Sequence, residues 1–339
     1  MSAATMMAGR LNVETGTFAM AEVPVPEPGP GFVRVKVEAA GVCLSDVHLI
    51  QGLLKPKFLQ GNEVTLGHEV AGTVDLAGPG TEHRVSPGDR VVIQAGYEHN
   101  GVTLTMGVDY DGGWAEYVCV PAGVLVPLGE EIPFDQAAII PDAVSTPWGA
   151  IAGTADVRAG EAVGVWGIGG LGAHGVQLLR MVGAAPIVAV DPIPEARQRA
   201  LDFGADVALD PLDPGFAAAL KTATGGRGLD VALDFAGVDA VRAQALASLA
   251  VRGRLVLVGL SGTPLTIADS TGFSYARRQI LGHYGSEAQH VPQLVDLTRL
   301  GRLDFARSVS GRLPLADAEK AVMALDRKEG NPIRLVLIP

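Results

Sequence analysis

The chain has 339 residues, of which 48% are hydrophobic and 19% charged, and it carries a formal net charge of −11. That length exceeds one ordinary core and implies two domains, while the composition is that of a folded chain rather than a disordered one. The negative balance argues against a nucleic-acid partner, no apolar run approaches a membrane span, and two cysteines, Cys43 and Cys119, argue against a disulfide framework.

The start, Met1–Arg10, lacks the long apolar stretch of a signal peptide, so a cytoplasmic location is expected. Residues 1–143 then carry short β-rich runs, among them Phe32–Val37, Val70–Val74, Arg90–Ile93 and Trp114–Val120. Gly/Pro turns such as Pro28–Gly31 and Ser86–Asp89 separate them, a pattern that suggests a small barrel or sandwich. Within this part, Gly41-Val-Cys-Leu-Ser-Asp-Val-His48 sets a thiol, a hydroxyl and an imidazole close together, and Gly67-His-Glu69 adds an imidazole and a carboxylate. Taken singly, each of these also reads as a core or turn residue. Cys119 lies in an alternating strand and reads as packing, and His83, His99 and His290 show no ligand spacing and read as surface or loop residues.

From 144 to 286 the texture changes to strands alternating with helical segments, which means parallel βαβ units. The apolar run Glu161–Trp166 leads into Gly167, Ile168, Gly169, Gly170, Leu171 and Gly172, followed by the helix-like stretch Ala173–Arg180. A strand, a tight glycine turn and a helix start are the context in which G-x-G-x-x-G means a dinucleotide site, with the helix amides aimed at the pyrophosphate. Asp191 ends the next apolar run at about the ~20-residue distance that a ribose 2′-hydroxyl contact requires. Its carboxylate would repel a 2′-phosphate, so NAD is favoured over NADP. Later strands read as Val231–Asp234 and Arg254–Val258. Residues 287–339 return to a helix over Pro292–Arg299 and a final apolar run, Ile333–Ile338.

Taken with Pro141-Asp-Ala-Val-Ser-Thr-Pro-Trp-Gly149, these segments resemble the zinc-dependent alcohol dehydrogenases of the medium-chain dehydrogenase/reductase superfamily over essentially the whole length. The resemblance implies an α/β protein. A GroES-like β-rich catalytic domain would comprise 1–143 and 287–339, and a Rossmann doubly wound parallel-sheet cofactor domain 144–286. Position by position, it makes Cys43 and His68 zinc ligands and puts Asp142 where many members have a second cysteine. Glu69 becomes the carboxylate that can approach the metal. Many relatives also hold a structural zinc with four cysteines, but the corresponding stretch, residues 94–113, has none, so one catalytic Zn(2+) per chain and no structural zinc are expected.

The same resemblance makes Ser45 the acceptor of the substrate proton and His48 the far end of a relay to solvent. It assigns Thr146 to the cofactor, Arg197 to the adenosine ribose, Val258, Gly259 and Leu260 to the nicotinamide amide, and Arg334 to the pyrophosphate. Ala95, Trp114 and Leu260 become walls of the substrate pocket, while Trp148 reads equally as packing. The metal carries the acid–base load: zinc lowers the pKa of bound water from about 15.7 to about 7, and an alcohol responding similarly gains roughly 12 kcal/mol toward ionisation. The implied reaction is reversible, NAD-linked oxidation of a primary or secondary alcohol to its aldehyde or ketone. A zinc-free quinone or enoyl reductase and a non-catalytic dinucleotide-binding protein are the alternatives, disfavoured by the Cys43, His68 and Asp142 set. The partners expected are a small-molecule substrate and, through Gly262–Ala268 pairing with its symmetry mate, a second copy in a homodimer or homotetramer. Neither a nucleic acid nor a membrane is expected.

Overall fold

The structure, a computed structural model, describes residues 4–339, so the first three residues of the stretch Met1–Arg10 lie outside it. The chain divides into two compact units: the first ends at Ala143 and resumes over Val291–Pro339, and the second is Val144–His290.

In the first unit the central strand is Phe32–Val42. Val33, Val35 and Val37 alternate into the core while Arg34 and Lys36 face outward, the period-two pattern of a half-buried strand. Beyond a register slip between Val37 and Ala39 the strand is buried on both faces over Ala39, Ala40, Gly41 and Val42, the first three of them small. A slip of this kind bends a strand and re-aims its end, as bulges near functional sites do. Phe32–Val42 pairs antiparallel with Val70–Ala77, with Tyr117–Pro121 and with the C-terminal strand Arg334–Ile338. Arg90–Ile93, Leu125–Pro127 and Val309–Pro314 extend this sheet. A separate hairpin, Thr5–Asn12 with Thr17–Pro24, pairs with Glu63–Thr65; none of its strands was singled out from the sequence. The helix Ala318–Asp326 buries Ala318, Ala321, Val322 and Leu325, the spacing of one helical face.

The second unit is a six-stranded parallel sheet. In chain order its strands are Val163–Trp166, Ile187–Val190, Val207–Leu209, Leu229–Asp234, Leu249–Leu257 and Gln279–Gly282. Their spatial order is third, second, first, fourth, fifth, sixth, the doubly wound arrangement. The first two strands are buried at every residue, which is why they read as continuous apolar runs rather than alternating ones. Gly262–Ala268, expected as a strand, is irregular in the single chain and leaves Leu265 and Ile267 exposed. No helix among the described residues is long and apolar enough to cross a membrane.

Candidate metal centre and cofactor turn

Strand register assembles the candidate metal centre. Val42 stands opposite Leu335, and Ala40 opposite Val70. One step past these pairs lie Cys43, Arg334 and the His68–Glu69 dipeptide, so four functional side chains leave three neighbouring strands at one end of the sheet. Gly41 permits this convergence, because a Cβ there would lie 1.9 Å from Glu69 Oε2. Cys43 also caps the helix Leu44–Ile50, where its backbone N–H donates to Asp46 Oδ2 at 2.9 Å. A wide helical turn, Ile140–Val144, brings in Asp142, and the backbone N–H of Ala143 donates to Glu69 Oε1 at 2.9 Å.

The three ligand atoms of Cys43, His68 and Asp142 all lie within 4.8 Å of one another. Cys43 Sγ is 3.1 Å from Asp142 Oδ2, and His68 Nε2 is 3.6 Å from the same oxygen. Tetrahedral zinc with ordinary bond lengths separates a sulfur and an oxygen by about 3.5 Å and a nitrogen and an oxygen by about 3.3 Å. The donors present, one soft sulfur, one imidazole and one carboxylate, suit that ion. Charge points the same way: Cys43, Asp46, Glu69 and Asp142 can all become anions, and Arg334 is the one permanent cation among them. Glu69 Oε2 is buried without a hydrogen-bond partner, while Asp46 Oδ1 and His68 Nδ1 face each other at 3.5 Å and leave His68 Nε2 toward Asp142. The residues therefore fit a bound zinc ion.

Titration behaviour reflects this crowding. Burial pushes the Cys43 thiol up and the nearby Asp142 charge adds to it, while Arg334 and His68 oppose. Burial also pushes Glu69 up to about 8, with Arg334 pulling against it and Asp142 reinforcing it. His68 is held well above the usual imidazole range: burial by itself would lower it, but the Asp46 charge and contacts with Asp142 and Cys43 prevail.

Asp46 was quoted in the sequence motif but given no role there. It is fully buried, and its Oδ1 lies 3.5 Å from His68 Nδ1, the carboxylate–histidine arrangement that fixes a metal-bound ring. The available signal was its place three residues after Cys43, the candidate ligand that caps the helix. The guanidinium of Arg334, 3% exposed, lies 2.8 Å from Glu69 Oε1 and 3.5 Å from Asp142 Oδ2, a pairing with these carboxylates that the sequence did not announce. The register with Val42 dictates that position.

Ser45 Oγ is 3.7 Å from Cys43 Sγ, and both Ser45 and His48 are half-buried one turn apart on the same short helix. Burial lowers the His48 pKa against the opposing Asp326 charge, so its ring is neutral at pH 7. Trp114 corrects the pocket reading. It is 0% exposed, its indole N–H donates to Gly41 O at 3.0 Å, and its ring meets Phe18 edge-on; it is a core residue with its polar handle satisfied. Ala95 is half-buried at the head of the hairpin Gly96–His99 and Val102–Thr105, which occupies the cysteine-free stretch.

In the second unit the glycine turn is formed as expected. The helix Gly170–Val182 follows the first strand, and a Cβ on Gly172 would lie 1.8 Å from Gly167 O, so only glycine closes the turn. Asp191, 7% exposed, accepts from the backbone N–H of Ile168 at 2.8 Å and of Ile193 at 2.9 Å, which anchors its carboxylate against the turn. Arg197 is tied to Asp191 O at 2.7 Å and lies 3.2 Å from Asp210 Oδ2. Arg199, not singled out from the sequence, donates to Ile168 O at 2.9 Å, so both backbone polar groups of Ile168 are held by side chains. Thr146 is buried and its carbonyl accepts from His283 Nε2 at 3.0 Å, while Val258 is buried and Leu260 half-exposed. His290, expected as a surface or loop residue, is 5% exposed at the start of the helix His290–Arg299, and its Nδ1 accepts from Glu287 N at 3.0 Å.

Comparison with known proteins matches residues 29–130 to the alcohol dehydrogenase GroES-like domain and residues 170–299 to the zinc-binding dehydrogenases. The L-threonine 3-dehydrogenase of Pyrococcus horikoshii is 32% identical over 270 residues, 73% of this chain and 74% of that one. The 2R,3R-butanediol dehydrogenase of Bacillus subtilis superposes with a TM-score of 0.89 at 27% identity, covering 98% and 99% of the two chains. A Sinorhizobium meliloti chain solved with NADP bound superposes at 0.91 with 25% identity, covering 99% and 100%.

Proposed function

Because the chain belongs to the zinc-type alcohol dehydrogenases of the medium-chain dehydrogenase/reductase superfamily, we propose that it is a reversible oxidoreductase for primary or secondary alcohols that uses one zinc ion and prefers NAD. The family makes it an enzyme acting on CH–OH groups with a nicotinamide cofactor. The observation that carries the metal assignment is the convergence of Cys43, His68 and Asp142 within 4.8 Å.

Zinc held there would supply a Lewis acid, favouring loss of the alcohol proton and, in reverse, polarising the carbonyl. The protein's own residues do the rest. Cys43, His68 and Asp142 bind the ion, and Asp46 fixes the His68 ring and its tautomer. Arg334 holds Glu69 beside the ion and offsets the surplus of negative charge. Ser45 Oγ would accept the substrate proton while passing its own onward, and His48, neutral at pH 7, would be the far end of that relay and release the proton to water. In the second unit the glycine turn receives the pyrophosphate, and Asp191 accepts from the ribose hydroxyls with the lone pairs that Ile168 and Ile193 leave free. That anchored anion favours NAD over NADP.

A zinc-free reductase would have no use for a buried thiol, imidazole and carboxylate brought together in this way, and a binding protein that has lost catalysis would have no use for Asp46 behind His68. The working state we assign is a cytoplasmic homodimer or homotetramer. Elemental analysis together with a panel of alcohols assayed with NAD tests the reading. One zinc per chain and NAD reduction with at least one alcohol are expected; fully active protein without zinc overturns it.

A further inference from the structure

We propose that the buried Asp234–Arg242 pair is a positioning device for the nicotinamide half of the cofactor, a reading that rests on the second unit binding a nicotinamide dinucleotide. The sheet order reverses between the first and fourth strands, and ligands of doubly wound sheets lie across the carboxyl ends of the strands at that reversal. Asp191 stands at the carboxyl end of the second strand, on one side of it. With the adenosine ribose there, the other half of the dinucleotide extends over the carboxyl ends of the fourth and fifth strands.

Asp234 is the last residue of the fourth strand and is 0% exposed. Its Oδ1 accepts from the backbone N–H of Ala236 at 3.0 Å and Gly237 at 2.9 Å, and its Oδ2 accepts from Arg242 Nε at 2.9 Å. Arg242, 6% exposed on the helix Asp239–Ala247, donates through Nη2 to Gly259 O at 2.8 Å, just past the fifth strand. The carbonyl of Asp234 in turn accepts from Val258 N at 3.0 Å and Gly259 N at 2.8 Å. One ion pair thus ties together the loops that leave two adjacent strands. The loops themselves touch backbone to backbone: a Cβ on Gly259 would lie 2.4 Å from Gly237 N, and one on Gly167 would lie 3.1 Å from Ala236 N.

Packing does not require a charge at this place. A buried ion pair contributes little stability compared with apolar side chains of the same volume, because removing both charges from water offsets their attraction. What the pair supplies is direction, since the guanidinium fork fixes the Gly259 carbonyl relative to Asp234 in a way that apolar contact would not. Arg242 is buried, and its partners are Asp234 and the Gly259 carbonyl. It acts through the Gly259 peptide.

The test compares NAD with ADP-ribose, which lacks the nicotinamide ring, in calorimetric titrations of the zinc-loaded enzyme. Arg242→Met is the first variant; Asp234→Asn combined with Arg242→Met is the second, because it leaves no lone buried carboxylate to unfold the unit. In both, NAD affinity should fall about tenfold while ADP-ribose affinity stays within about twofold. Arg242→Lys should recover part of the NAD affinity, and kcat should fall alongside it. Equal losses for the two ligands, or no loss for either, would overturn the proposal. If the wild-type protein binds neither ligand, the cofactor reading itself fails and takes the proposal with it.

Discussion

The imidazole of His68 lies between two carboxylates, with Nδ1 3.5 Å from Asp46 Oδ1 and Nε2 3.6 Å from Asp142 Oδ2. The two nitrogens therefore have different work. Asp46 is fully buried and also binds the backbone N–H of Cys43, so it restrains both the ring and the thiol-bearing residue. Removing such a partner from behind a ligating histidine lowers metal affinity by about 10–100-fold. Asp46→Ala should show that loss in competition with a chromophoric chelator, together with about 1 kcal/mol less stability from the opened helix cap. Wild-type zinc affinity in this variant would remove Asp46 from the metal centre.

Metal removal and pH are coupled through the same residues. In the metal-free protein Glu69 is raised from 4.5 to about 8, Cys43 is raised above 9.0 and His68 well above 6.5. Each group binds its proton more tightly folded than unfolded, so each contributes stability at low pH that is lost as pH rises. For Glu69 the contribution is full below 4.5 and gone above about 8. Zinc binding has the opposite slope, because its ligands must be deprotonated. Scanning calorimetry from pH 5 to pH 9 should therefore show the metal-free Tm falling and the increment added by zinc growing. A metal-free Tm that climbs across this range contradicts the electrostatic picture of the centre.

Much of this was legible in the sequence because it depends on local pattern. The turn from Gly167 to Gly172, the apolar runs of the parallel strands and the alternation of Val33, Val35 and Val37 each report their own surroundings. The burial of Trp114 and the carboxylate partners of Arg334 were not legible, because both environments come from distant chain. Arg334 lies 292 residues from the Val42 carbonyl near it, and Trp114 lies 73 residues from the Gly41 carbonyl it binds. The Asp234–Arg242 pair escaped for a related reason. Its eight-residue spacing crosses a loop, so neither strand nor helix periodicity brings the two together.

Gly41 gives a test of close packing at the centre. A methyl group there would occupy the space of Glu69 Oε2, and the strand is buried on both faces, so neither side can yield freely. Gly41→Ala should cost about 1–3 kcal/mol, as overpacked core sites do, and displace Glu69 from Arg334. Urea denaturation of the zinc-loaded variant measures the cost. An unchanged midpoint would mean that Glu69 is not held where the structure puts it.

Asp191 tests the cofactor side, and its double role makes the choice of variant important. The carboxylate would accept from the ribose, but it also accepts from Ile168 N and so helps to shape the glycine turn. Asp191→Ala removes both functions, whereas Asp191→Asn keeps an oxygen for the turn and removes the negative charge. With that charge gone, Arg197 and Arg199 remain as nearby cations, an environment that tolerates a 2′-phosphate. Hydrogen bonds to charged groups contribute about 1.5–3 kcal/mol, so kcat/KM with NAD should drop about tenfold or more in either variant. The NAD-to-NADP ratio should fall in both, and Asp191→Asn should lose less thermal stability than Asp191→Ala, because its remaining oxygen still accepts from one of the two backbone N–H groups while its amide NH2 cannot accept from the other. A ratio that survives the loss of the charge would mean that discrimination against the phosphate resides elsewhere in the turn.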